Sequence, residues 1–251
     1  MRIGLIAMMI CGFLTLGLAQ EHRSSLETDV EHIKETQQTI LEELKALKTL
    51  LSRLPVPPPE IEIRGTNIDL SGRPLIGTKS SKLVMIEVSD YQCPFCGRYS
   101  RETFPELKKQ YIDTGMIEYA VIDLPLPIHP LAPKAAEAAH CAEDQGKFWE
   151  MHHQLMANQQ SLDKLSPFAE VLNLDKARYE GCLNGGLYVE RINQDVKLMQ
   201  KIGINGVPAF ILAAKDPTNP LSVKGISIIR GAAPMAHFQG EISKALAEVS
   251  K

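Results

Sequence analysis

A chain of 251 residues, 44% hydrophobic and 23% charged, is long enough to bury one sizeable core with an appended segment. Its formal net charge is −3, with acidic and basic residues mixed along the sequence. No positive field is available to attract nucleic acid, and that partner class is excluded.

The first nineteen residues, MRIGLIAMMICGFLTLGLA, carry one positive charge at Arg2, an apolar run from Ile3, and small residues Gly17 and Ala19 at the −3 and −1 places of a cleavage site. They read as a secretory signal peptide. An uncleaved anchor is the rival reading, because the run is near the lower limit for crossing a bilayer. Cys11 lies inside the apolar run and is set apart from the chemistry. Cys93, Cys96, Cys141 and Cys182 remain, and an even number of cysteines in an exported chain points towards disulfides.

Residues 20–54 carry a heptad seam. Val30, Gln37, Leu44 and Leu51 fall at a, and Leu26, Ile33, Ile40, Leu47 and Leu54 at d, with charged residues flanking at e and g. The seam is narrower than the stripe of a helix lying on its own core, so the expectation is a coiled coil joining copies of the chain as a dimer or trimer. Successive prolines in residues 55–60, PVPPPE, end the helix and form a stiff spacer.

From residue 61 the pattern changes. IEIRGTNIDLSG reads as a short strand and turn, and LVMIEVSD as a buried strand rich in branched residues. The stretch SDYQCPFCGRYS follows at once. A helix to about Gln110, kinked at Pro105, leads to a second strand in MIEYAVIDLPL, giving a strand-helix-strand parallel unit. Residues 134–202 are helical in pattern, with breaks at Gly146, Ser166-Pro167 and Asn184-Gly185-Gly186. Strands return in VPAFILAA and SVKGISIIRG, and an amphipathic helix runs from about Pro234 to Val249.

A lone C-x-x-C supplies two of the four ligands that a structural zinc needs. His152 and His153 diverge by about 100 degrees on a helix, poor geometry for chelation, and read as surface and partly packed positions. No metal or other cofactor is expected. A redox dithiol needs one accessible thiol with a stabilised thiolate and a second within reach. At a strand-to-helix turn Cys93 sits on the helix start, where unpaired N–H groups favour the anion, and Cys96 lies one turn deeper. Cys93 then attacks and Cys96 resolves.

LVMIEVSDYQCPFC, AAEAAHCAEDQGKFWEMHHQLM and GINGVPAF together resemble the DsbA-like family of thioredoxin-fold disulfide oxidoreductases, over roughly residues 60–250. The resemblance implies an α/β thioredoxin fold with a helical domain inserted at about 134–202. Cys93 then corresponds to the nucleophile and Cys96 to its buried partner, with Pro94 and Phe95 between them facing substrate. Pro208 corresponds to a cis-proline beside the pair, leaving the Val207 backbone open to a substrate strand. Glu87, six residues before Cys93, corresponds to a buried acid that helps move the resolving thiol's proton; a solvent-facing strand residue is the alternative. Phe95 departs from the histidine of the best-known family oxidase. Without that ring a milder oxidant is expected, inside the superfamily range of about −270 to about −120 mV. Cys141 and Cys182 both fall in the helical block and are expected to form a structural disulfide, the alternative being two buried free thiols.

The function implied is that of an exported, periplasmic enzyme forming or isomerising disulfides in cysteine-containing exported proteins, recharged by a membrane-bound redox partner. A second reading from the same cysteines is an oligomeric chaperone or soft-metal module holding Cu(I).

Overall fold

The structure, a computed structural model, describes residue 28, residues 30–49 and residues 62–250. The expected signal peptide, the ends of the seam and the proline spacer lie outside the described residues. The chain divides into two units, residues 1–59 and 60–251.

In the first unit residues 30–49 form helix α1. Val30, Ile33, Ile40, Leu44 and Leu47 are between 48% and 64% exposed. The periodicity that makes the helix amphipathic therefore leaves an apolar stripe open along it.

The second unit is built on a six-stranded sheet: β1 (Asn67–Asp69), β2 (Leu75–Gly77), β3 (Leu83–Ser89), β4 (Glu118–Asp123), β5 (Ala209–Lys215) and β6 (Ser222–Arg230), in the order β1-β6-β5-β3-β4-β2. β3 pairs parallel with β4 and antiparallel with β5. Both faces of this centre are covered, which explains why β3 and β4 are buried at every residue and mostly apolar, Glu87, Ser89, Glu118 and Asp123 excepted. Side chains alternate between the faces. Leu83, Met85, Tyr119, Val121, Phe210 and Leu212 share one apolar core with the helices that follow β3 and β4. Val84, Ile86, Val88, Ala120, Ile122 and Ile211 share the other with Ile68 and Met199. By the same alternation Glu87 belongs to the first face.

Helices α2 (Pro94–Glu102) and α3 (Phe104–Leu107), then a π-helical turn Lys108–Ile112, connect β3 to β4. Pro105 starts a separate short helix, so the expected kink is a break at Thr103. Its fixed φ and missing N–H are tolerated in a first turn and disruptive inside a helix. Leu75–Gly77, assigned no element from the sequence, pairs with β4 as an edge strand. Three residues are too few for a period-2 signal.

The helical block comprises α4 (Ala132–Glu143), α5 (Phe148–Ala157), a 3₁₀ turn Gln159–Ser161, α6 (Ser166–Val171), α7 (Lys176–Gly185) and α8 (Val189–Lys201); α9 (Met235–Val249) closes the fold. A Cys141–Cys182 disulfide with Cα atoms 5.8 Å apart ties α4 to α7. Cross-linking residues 41 apart removes denatured-chain entropy, so replacing both cysteines with alanine is expected to lower stability by about 4 kcal/mol. Denaturant unfolding of the two proteins under oxidising conditions measures the difference.

Candidate active site

β3 ends at Ser89, and the three residues Asp90, Tyr91 and Gln92 turn the chain into α2. Cys93 occupies the N-cap of α2 in an extended conformation (φ −72°, ψ 120°), Pro94 follows at the first helical position, and no side chain caps the helix. The sulfur of Cys93 therefore sits at a helix start whose first N–H groups lack intrahelical partners. The Cys96 thiol donates to it, the backbone N–H groups of Cys96 and Phe95 add to the effect, and against burial and the Asp90 charge the Cys93 thiol is lowered to about 6. Cys96 is wholly buried and Cys93 only 4% exposed, so the thiol expected to be accessible is itself nearly covered and is merely the less deeply buried of the two. Burial first, then the neighbouring Cys93 and Glu87, push its thiol far up. One turn of helix thus separates an acidic sulfur from one that holds its proton.

Opposite the pair stands the Val207–Pro208 peptide, which is cis. Cys93 Sγ, as a thiol, donates to the Val207 carbonyl at 3.8 Å. Pro208 is buried and Val207 half-buried, whereas Pro94 and Phe95 are exposed. The Arg98 guanidinium lies 5.2 Å from the centre of the Phe95 ring. Phe95 itself offers no charge or hydrogen bond to the sulfur, so Phe95→His is expected to stabilise the thiolate and make the couple more oxidising. A tenfold shift in the glutathione equilibrium, about 30 mV for two electrons, is the expected scale.

Glu87 is fully buried, so it is not the solvent-facing strand residue of the alternative. Tyr119 donates to its Oε2 at 2.6 Å and Ser89 to its Oε1 at 2.7 Å. Burial raises the carboxyl above its ordinary range, with the nearby Asp123 adding to the rise and the two hydrogen bonds opposing it. Raised in this way, a buried carboxyl is better placed to keep a proton that it can exchange with a neighbouring thiol.

His152 corrects the sequence reading. It is 2% exposed, its Nδ1 is 2.9 Å from the Tyr91 hydroxyl and its Nε2 lies 3.9 Å from Glu87. Of two adjacent histidines on α5, one must face inward by helical geometry. Burial, which disfavours the charged ring, lowers His152 to about 3, so it is neutral beside Glu87.

Four further residues had no assigned part. Gln159 donates from Nε2 to the carbonyls of Tyr91 and Cys93, at 2.9 and 2.8 Å, and so pins the cysteine turn to the helical block. A Cβ at Gly97 would come within 2.3 Å of the Gln159 amide oxygen, which explains a glycine in the first turns of α2. Asp90 and His129 form a hydrogen-bonded pair beside Cys93. Asp90 was visible as a turn former three residues before the cysteine; Gln159 had no local signal.

A cysteine pair at a β3-α2 junction, a facing cis-proline and a helical block between β4 and β5 define the DsbA-like form of the thioredoxin fold. A family profile described as thioredoxin matches residues 70–229, well over half of the chain, and the chain belongs to that family. It is similar to the solved structure of Wolbachia pipientis alpha-DsbA1, with a TM-score of 0.63 and 25% identity over 72% of this chain and 94% of that one. Among curated proteins it is 33% identical to an Na(+)/H(+) antiporter NhaA 3 of Salinispora tropica, over 60% of this chain and 23% of the antiporter. It is 30% identical to a Rickettsia conorii protein named as a protein-disulfide oxidoreductase, over 53% of each chain. The chain therefore spans less than two thirds of the length of either.

Proposed function

We propose that this protein is an exported thiol-disulfide oxidoreductase that forms and isomerises disulfide bonds in other periplasmic proteins through Cys93 and Cys96. The observation that carries this reading is the pairing of a lowered Cys93 thiol at the start of α2 with a raised, buried Cys96. The relatives named for disulfide chemistry support it, and they do not favour the chaperone or Cu(I) alternative.

In the oxidised enzyme a substrate thiolate attacks Cys93 Sγ. The Cys93–Cys96 bond breaks, and Cys96 leaves and takes up a proton, for which Glu87 is the nearby donor. A second substrate thiolate then attacks the substrate sulfur of the mixed disulfide and releases Cys93 as a thiolate. Two electrons and two protons pass from the substrate dithiol to the pair in total. A leaving thiol of low pKa departs faster, which suits Cys93 for the release step. Recharging needs an oxidising partner, read here as a membrane-bound protein. For isomerisation the dithiol form acts, with Cys93 attacking a wrong disulfide.

The exposed apolar stripe of α1 supports the reading of residues 20–54 as an oligomerising coiled coil. Residues 1–19 are read as its signal peptide and residues 55–60 as the spacer before the catalytic unit of residues 61–251. The test is to mix the oxidised protein with a reduced, cysteine-containing model protein and count thiols on both. Loss of two substrate thiols for each pair reduced is expected; no transfer would remove the proposal.

A further inference from the structure

Asp90 is a buried carboxylate placed where the proposed chemistry develops negative charge. Its Oδ1 accepts from the backbone N–H of Gln92 at 2.7 Å and of Cys93 at 3.1 Å. Its Oδ2 accepts from the backbone N–H of Leu126 at 2.8 Å and from Nδ1 of His129 at 2.8 Å. Four N–H donors thus occupy all four lone-pair positions of the carboxylate.

The turn itself does not require that charge. An asparagine oxygen would cap Gln92 and Cys93 equally well, but its NH₂ group cannot accept from Leu126 and His129. The second pair of hydrogen bonds therefore demands the acid, and the acid puts a fixed negative charge beside Cys93. That charge acts against the Cys96 thiol and the backbone N–H groups that favour the thiolate. His129, 14% exposed in its side chain, presents its ring N–H to the same carboxylate and reduces the field that Asp90 projects.

We propose that Asp90 and His129 are paired positioning residues that set the redox poise of the Cys93/Cys96 couple, Asp90 holding it below its most oxidising setting and His129 offsetting part of that restraint. The inference rests on the reading of Cys93 as the attacking thiol. A stable thiolate stabilises the dithiol form, so weakening Asp90 makes the disulfide a stronger oxidant and weakening His129 makes it a weaker one.

The experiment equilibrates wild type, Asp90→Asn, His129→Ala and the double variant with glutathione. One protein disulfide and two glutathione thiols give one protein dithiol and one glutathione disulfide. Asp90→Asn is expected to move the equilibrium at least about threefold towards the dithiol, and His129→Ala at least about twofold the other way. In the Asp90→Asn background His129→Ala should add nothing, because the charge it offsets is gone. A merely loosened turn would move both single variants in one direction, and that result, or no movement in either, overturns the proposal. Should Asp90→Asn not fold, the partly exposed His129→Ala decides alone: no shift, or a more oxidising couple, overturns it. A wild-type pair that does not exchange with glutathione overturns the functional reading and this inference with it, whereas normal wild-type exchange beside unmoved variants overturns the inference alone.

Discussion

Cys96→Ala is expected to convert a transient mixed disulfide into a stable product. With Cys96 absent, the Cys93 sulfur still attacks or is attacked, but no buried thiol stands one turn away to resolve the bond. Incubation with oxidised model protein followed by non-reducing electrophoresis should show a covalent adduct through Cys93, stable for hours after unreacted thiols are blocked. Cys93→Ser should form no adduct, and its exchange rate should fall by about 10³-fold or more, since an alcohol does not replace a thiolate at neutral pH. The asymmetry between the variants is the informative result. Adducts of equal yield through either cysteine would contradict the division of roles that burial imposes on them.

Removing residues 20–59 is expected to turn a homo-oligomer into a folded monomer. The catalytic unit holds its own sheet, two apolar cores and a disulfide, so its folding does not depend on α1. The stripe of Ile33, Ile40, Leu44 and Leu47 is exposed in the single chain, and an isolated helix of this length gains little without a partner. Ile33 and Ile40 at d with Leu44 at a favour more than two strands, while Gln37 at a fixes register at some cost in stability. Light scattering should therefore report a mass two or three times that of the chain at full length and one times after truncation. Thiol exchange should persist, and isomerisation of a scrambled substrate should drop several-fold, because shuffling benefits from several sites around one substrate. A full-length monomer, or a truncated protein that stays associated, would contradict the coiled coil.

Much of the fold was legible because its centre is written in long patterns. Residues 83–89 and 118–123 are buried on both faces, and their largely apolar make-up reads as strand without alternation. The site was legible where chemistry is local, at Cys93, Cys96 and Pro208. Its supporting residues were harder to read because they arrive from distant parts of the chain. Gln159 reaches Cys93 across 66 residues, and His129 reaches Asp90 across 39. Nothing in a local window marks either. His152 was misread for a related reason: adjacent histidines on a helix look symmetric in sequence, and the fold alone decides which one faces Glu87. Edge strand β2 is short enough that pairing with β4 defines it, and its own residues do not.

The claim on which the rest depends is that Cys93, at the start of α2, is the acidic and less deeply buried thiol of the pair. Alkylation of the fully reduced protein across pH 4–10, with each cysteine resolved by peptide mass, measures this directly. The account predicts that Cys93 reacts first, its rate falling as pH drops through a midpoint near 6 because protonation removes the nucleophile, while Cys96 stays unmodified in the folded protein over that range. Earlier modification of Cys96, or a Cys93 midpoint at the unperturbed value of about 8.5, would contradict it.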